Sequence, residues 1–397
     1  MKFENKTKSI LYGMEFTHGI RRALMGALAL VYFVSFGFSV ISITTLFSIS
    51  CIIMTFFEFP TGAVADYDSR KKSLIIGFFL LSIAFLGLFF FKSFWLLAGS
   101  WILGDIAWTF CSGANSAWAI DALNYAKEKS KIVSLVSRGY FFEKGGHVIG
   151  GLIGFVIVAI NFRFVWLAIS LTNFFMMVII IFYMEERNFK PEKVPYGYLK
   201  KSLIKAKESF SYVLHEGNKE LRVLLLGGFI SVVAISSFFV GVPLLLTQVL
   251  GMRPEFLAGL FSIFAVISLG ATFIIEKISY KKGVRLSLVG VSLIIGISIV
   301  AFSLSPYLWL AVVLLGVFQV SETMNDILED SARHHEFSSK IRASLGSLNN
   351  INWSISNSLG IFLAGLGISF LGLVNTMIIS GVLALSVVVV YFFGLRK

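Results

Sequence analysis

Asp105 and Glu143 each stand near the middle of a long apolar run, where an ionisable group costs at least ~2.5 kcal/mol to bury and is kept for chemistry or for pairing. A carboxylate in such a place exchanges its proton as its surroundings change, so either residue is a candidate proton carrier. Arg138 and His147 share the run with Glu143. Arg138 supplies a counter-charge, and His147, one helical turn from Glu143, extends a relay. Static readings compete with this one: Asp105 or Glu143 pairs with Arg138 to hold two helices together, and His147 donates to a backbone carbonyl.

A second set of polar side chains suits ligand contact. Glu15, His18 and Arg22 fall on one face near the amino end, and Asp105, Trp108, Ser112 and Asn115 form one stripe. In the second half Gln319, Glu322, Asp326 and Glu329 recur at spacings of three and four, and Asn349, Asn352 and Ser356 make a stripe beside Trp353. The candidate substrate contacts are Glu15, His18, Arg22, Trp108, Asn115, Gln319, Glu322, Asn349, Asn352 and Trp353. Cys51 and Cys111 lack metal-like spacing and read as small core residues, and His334-His335-Glu336 reads as a charged loop, so no metal is expected. No phosphate-cradling glycine loop of the Gly-x-x-x-x-Gly-Lys-Ser/Thr type is present, which argues against ATP-driven pumping. No cofactor and no enzymatic activity are expected.

The elements that position these residues are membrane helices. The chain has 397 residues, of which 57% are hydrophobic, and its mean hydropathy is +0.85, more than a soluble domain carries. Twelve apolar segments long enough to span a bilayer recur between Ile10 and Phe393, predicting an all-α membrane protein of two six-helix bundles. The net charge of +12 does not point to nucleic acid, because the basic residues collect in alternate loops. By the positive-inside rule those loops, including Arg70–Lys72, Lys127–Lys131 and Lys277–Arg285, are cytoplasmic, as are both termini. The first segment lacks a small-residue cleavage site and reads as a retained helix. Starting it near Ile10 rather than Ala23 gives it spanning length and buries Glu15, His18 and Arg22. At 1.5 Å per residue Asp105 and Glu143 both fall near the midplane, with Arg138 nearer the cytoplasm.

One polar interruption divides the spans six and six, predicting a bundle over 1–184, a cytoplasmic linker over 185–219 with an amphipathic helix, and a second bundle over 220–397. The halves repeat at an offset of 209: Asp121, Ser130, Lys131 and Ile132 recur as Asp330, Ser339, Lys340 and Ile341. Gly146, Gly150 and Gly154 form a small-residue stripe that allows close helix approach, echoed by Ser356, Gly360 and Ala364.

The loop Gly62-Ala-Val-Ala-Asp66-Tyr-Asp-Ser69-Arg70-Lys71-Lys72 closely resembles the signature between helices 2 and 3 of the major facilitator superfamily of secondary transporters, with Ser69 at the place of the usual second glycine. The resemblance implies two parallel halves that bind a small molecule near the midplane by alternating access. It also implies a cytoplasmic gate of Gly62, Asp66, Arg70, Lys71 and Asp121, repeated as Glu276, Lys281 and Asp330, with Glu58 beside it. Drug-proton antiporters of the superfamily carry Gly-Pro-x-x-Gly-Gly in helix 5, whereas this chain has Gly146-His147-Val-Ile-Gly150-Gly151. The expected function is proton-coupled export of small amphiphilic organic molecules, an antiporter of the multidrug-efflux kind. Proton-coupled uptake of an organic anion or metabolite, favoured by Arg138, Lys144 and Arg22, is the alternative, and a non-transporting membrane sensor a third. The expected partners are the substrate, protons and the lipid bilayer, without nucleic acid, for a monomer in the plasma membrane.

Overall fold

The computed structural model describes residues 3–26, 28–125, 132–186, 192, 197, 204, 211, 219–336 and 342–395. The basic loop Lys127–Lys131 and the amphipathic helix expected within 185–219 lie outside the described residues. The helices are α1 Phe3–Gly26, α2 Ala29–Ser35, α3 Val40–Ala63, α4 Arg70–Phe90, α5 Phe94–Cys111, α6 Ala114–Tyr125, α7 Ile132–Ile160, α8 Phe164–Tyr183, α9 Lys219–Leu244, α10 Pro254–Lys282, α11 Val284–Ser303, α12 Leu308–Glu336, α13 Arg342–Leu371 and α14 Leu373–Gly394. π-Helical turns extend α3 (Val64–Asp68) and α9 (Leu245–Val249), and no strand occurs among the described residues.

Ten helical stretches among the described residues are long and apolar enough to cross a membrane, and the chain is a multi-pass membrane protein. Ten of the expected twelve spans therefore meet the criteria of length and apolarity. α1 is not among the ten because Lys6, Lys8, Glu15, Arg21 and Arg22 interrupt it, and α10 enters only as the shorter apolar stretch Pro254–Ser268. Large apolar side chains such as Phe182, Phe370 and Phe393 are exposed, as a lipid-facing surface requires.

The chain divides into two compact units, Met1–Tyr32 with Ile53–Leu199 and Pro254–Ala265, and Phe33–Ile52 with Lys200–Arg253 and Val266–Lys397. In the first unit α1 lies along α7 with the backbones in direct contact. A Cβ at Gly19 would collide with the Glu143 carbonyl, one at Gly146 with the Phe16 carbonyl, and one at Gly150 with the Ile20 backbone. Lipid tails are as apolar as leucine, so helices associate through close packing and interhelical hydrogen bonds rather than hydrophobic exclusion. The glycine stripe on α7 supplies that approach. Ser82 and Ser170 join α4 to α8 at 3.2 Å, and Tyr32 donates to the Leu88 carbonyl at 2.7 Å.

In the second unit Gly360 of α13 meets the Val233 carbonyl of α9, with Ser356 and Ala364 buried on the same stripe. Ser236 donates to Asn357 at 2.7 Å, and Ser48 and Ser358 share a hydrogen bond of 2.7 Å. A buried network centred on Glu329, whose partners spacing did not name, joins α12 to α14. Glu329 accepts from Asn325 at 2.8 Å, from Tyr391 at 2.7 Å and pairs with Arg333 at 3.2 Å.

The expected fourth span stands as one apolar stretch, Phe94–Leu123, but it is built from two helices. Gly113 has φ +80, a left-handed conformation that only glycine adopts without strain, and it separates α5 from α6. The stripe from Asp105 to Asn115 therefore does not continue as one helical face. Likewise Gly37, with φ +81, makes the turn after α2.

Gly19→Val is expected to force α1 from α7 at a cost of about 1–3 kcal/mol, lowering the thermal midpoint of the purified protein by several degrees. Gly145→Val, at a position with open space around it, should leave the midpoint unchanged. Equal midpoints for the two variants would count against the backbone contact.

Candidate functional site

Glu15, Arg21 and Arg22 of α1 turn toward α5, α6 and α7 of the first unit. Arg22 Nη1 donates to Glu143 Oε1 at 2.5 Å, and Glu143 is buried while Arg22 is exposed. Glu15 Oε1 accepts from Asn115 Nδ2 at 2.7 Å. The orientation of that amide is settled locally, because Asn115 Oδ1 takes the Ser116 N–H at 2.8 Å. His18 is buried between aromatic rings, stacked on Phe78 at 5.5 Å and edge-on to Trp108 at 4.5 Å. The Arg21 guanidinium sits 4.2 Å from the Trp108 ring centre, a cation–π contact, with Asp105 among its electrostatic neighbours. α1 thus carries a charged seam inside an apolar bundle, and the α1–α7 glycine contact makes its partners reachable.

Several expectations need correction here. Arg138 pairs with neither Asp105 nor Glu143: its side chain is exposed, and Arg22 occupies Glu143 instead. The reason is rotational, since Arg138 projects from α7 on a different side from the buried face that carries Leu135, Gly139 and Glu143. Among the described residues no hydrogen bond links the Glu143 carboxylate to His147. His147 instead offers its backbone carbonyl to Ser262 at 3.2 Å, because the glycine stripe beside it brings the start of α10 close. Glu15, His18 and Arg22 lie on α1 as expected but meet different partners, and Asn115 reaches Glu15 only because the chain breaks at Gly113. Arg21 and its stacking on Trp108 were not foreseen, since spacing alone did not distinguish Arg21 from Arg22.

In the second unit Gln319 Nε2 donates to Glu322 Oε2 at 3.0 Å, and Asn352 Nδ2 reaches the Leu225 carbonyl of α9 at 3.3 Å. Asn352 is thereby engaged in helix packing. Asn349 is half-buried and Trp353 is exposed.

The signature loop forms a second cluster in the first unit. The Arg70 guanidinium pairs with Asp121 and donates to the Ala117 carbonyl at 2.8 Å, joining α4 to α6. Ser69 is extended at φ −172, so the position places no demand for glycine, and its hydroxyl caps α4 by accepting the Lys72 N–H. Glu186, just beyond α8, was missed by sequence reasoning. It accepts from Ser69 Oγ at 2.5 Å, Arg70 N at 2.6 Å and Lys71 N at 3.1 Å, an acid at a helix N-terminus. Lys71 Nζ donates to the Ile181 and Met184 carbonyls, each at 2.8 Å, a cation at the carboxyl end of α8. Glu185 pairs with Lys6 at 2.6 Å. Asp66 lies exposed in the π-helical turn, Glu58 is exposed one turn before Gly62, and Gly62 has open space around it. Asp330 is exposed on α12. The side chains of Glu276 and Lys281 on α10 lie outside the described residues.

An all-helical membrane bundle with a charged seam in its interior and a basic signature loop at one helix junction defines the class as transporter-like. The Major Facilitator Superfamily model matches residues 11–339, and the chain belongs to that family. Solved structures agree in fold. A nucleoside transporter, NupG, is 14% identical with a TM-score of 0.79, each chain covered at 100%. A POT family transporter solved with a thioalcohol-conjugated peptide is 14% identical with a TM-score of 0.78, covering 97% of this chain and 95% of that one. A bacterial homologue of the human lysosomal transporter Spinster, in an inward-facing conformation, is 15% identical with a TM-score of 0.78, covering 99% and 97%. A comparison with curated proteins finds no match.

Arg70→Ala removes both the Asp121 pair and the Ala117 contact. It is expected to cost about 1 kcal/mol, which shifts a two-state population roughly five-fold. The measurement is maleimide labelling of a cysteine placed at Ser116. Unchanged labelling would show that the loop cluster carries no conformational weight.

Proposed function

We propose that this protein is a secondary active transporter working by alternating access, with twelve spans and both termini cytoplasmic in the plasma membrane. It exports small amphiphilic organic molecules in exchange for protons. The observation that carries this reading is the Arg22–Glu143 pair, set between α1 and α7 inside an apolar bundle. A proton arriving at Glu143 removes its charge and releases Arg22, and its departure restores the pair, so proton occupancy and helix contact are linked. Asp105 serves the same cycle beside Arg21.

The charge balance of the seam supports export of neutral or cationic molecules over anions. With each acid and base counted as charged and His18 as neutral, Glu15, Asp105 and Glu143 face Arg21 and Arg22, which leaves one excess negative charge. Gln319, Glu322, Asn349 and Trp353 are proposed as the ligand contacts of the second unit, with Asn352 kept to helix packing. The Arg70–Asp121 pair, with Asp66, Lys71 and the acid Glu186, is proposed to gate the cytoplasmic side.

A second reading is uptake of an organic anion, and Arg138 favours it: the residue is exposed and forms no ion pair among the described residues. A guanidinium in that state offers a planar donor fork matched to a carboxylate.

Purified protein in vesicles under an imposed pH gradient separates the two readings by flux direction. Glu143→Gln is expected to reduce gradient-driven transport by an order of magnitude or more while ligand exchange at equal pH survives. Normal gradient-driven transport by this variant would move the proton carrier elsewhere. Arg138→Gln is expected to leave transport intact, whereas selective loss of anion binding with folding preserved would promote the uptake reading. Binding without flux would favour a sensor.

A further inference from the structure

The first unit holds a cavity of about 350 Å³ between α1, α6 and α7, within the size range of small-molecule pockets, roughly 300–1,000 Å³. Its walls are largely apolar, built from Leu11, Ile120, Leu135 and Val136, with the Tyr140 ring at the side. Glu15 is the one carboxylate that lines it, and no lysine, arginine or histidine does. We infer that this cavity binds a lipophilic organic monocation, with Glu15 as its counter-ion. The inference rests on the export reading and names its substrate class.

Glu15 is presented for that role. One carboxylate oxygen is fixed by Asn115 at 2.7 Å, and the other accepts no hydrogen bond among the described residues. Its charged neighbours are Glu143 and Arg22, and Arg22 is already committed to Glu143 at 2.5 Å. Opposite it stands Gly139, where a Cβ would lie 3.6 Å from Glu15 Cγ, so the missing side chain leaves the acid's stem open on the α7 side.

The lining selects among ligand classes. An anion meets a carboxylate in a lining that contains no lysine, arginine or histidine. A hydrated metal ion finds one acid, the Ser116 and Tyr140 hydroxyls and otherwise apolar walls, where a calcium ion needs about 6–8 oxygens. A neutral amphiphile leaves the carboxylate without a counter-charge from the ligand. A quaternary ammonium with an aromatic or branched body satisfies all of it: its charge faces Glu15 and the Tyr140 ring, and its apolar shell packs on the leucine, isoleucine and valine side chains.

The test uses the full chain in detergent, with benzyltrimethylammonium as probe and its uncharged carbon isostere, neopentylbenzene, as control, read by equilibrium dialysis. Wild-type protein is expected to bind the cation at least ~10-fold more tightly than the isostere. Glu15→Gln, whose amide oxygen still accepts from Asn115, should abolish that preference, and Glu15→Asp should restore part of it. Val136→Trp, which fills the cavity, should weaken both probes. Equal affinity of wild-type protein for the two probes, or an undiminished preference in Glu15→Gln, would overturn the site. The same proteins in vesicles keep the site and the export reading apart. Glu15-dependent binding without gradient-driven movement of the cation sinks export and leaves the site standing. Gradient-driven transport whose cation preference survives Glu15→Gln sinks the site and leaves export standing.

Discussion

A charge placed in an apolar bundle must find its counter-charge within the bundle, and in the first unit that constraint is met by Arg22 of α1 against Glu143 of α7. The pair closes at 2.5 Å only because the two backbones touch, and they touch because Gly19, Gly146 and Gly150 have no side chains to hold them apart. Removing one partner of such a pair leaves the other uncompensated, which is costlier than never having buried either. The other polar residues of α1 follow from the same placement. Once α1 is fixed along α7, Glu15 comes to Asn115, Arg21 to the face of Trp108, and His18 between Trp108 and Phe78.

The signature loop solves a different problem, the unsatisfied ends of helices. The first N–H groups of α4 go to Glu186 and Ser69, and the last carbonyls of α8 go to Lys71. Arg70 then ties α4 to α6. Helix capping and the family signature are therefore one set of interactions, in which the acid after α8 is as engaged as the residues of the loop itself.

The second unit holds its helices with neutral groups and one buried network. Serine and asparagine hydroxyls and amides join α9 to α13, while Glu329 gathers Asn325, Tyr391 and Arg333 at the α12–α14 contact. The cavity beside Glu15 lies in the first unit.

Much was legible in the chain itself. Apolar runs, alternate basic loops and the glycine stripe are short-range patterns, so the helical membrane architecture and the close α7 face could be read from residue type and spacing, while the Arg70–Asp121 neighbourhood came from the family resemblance of the Gly62–Lys72 loop. Residue type and place within apolar runs also marked Glu15, Asp105 and Glu143 as costly to bury. Which charge meets which is a matter of helix rotation and of breaks in the chain, and neither is written in local spacing. Gly113 splits the fourth apolar segment and redirects Asn115 to Glu15, and Arg138 turns outward while Arg22 takes Glu143. Sequence set the inventory of buried charges and the helices that carry them. Tertiary packing decided the pairs, because an ion pair needs an approach of a few ångströms that only the contact of whole helices provides.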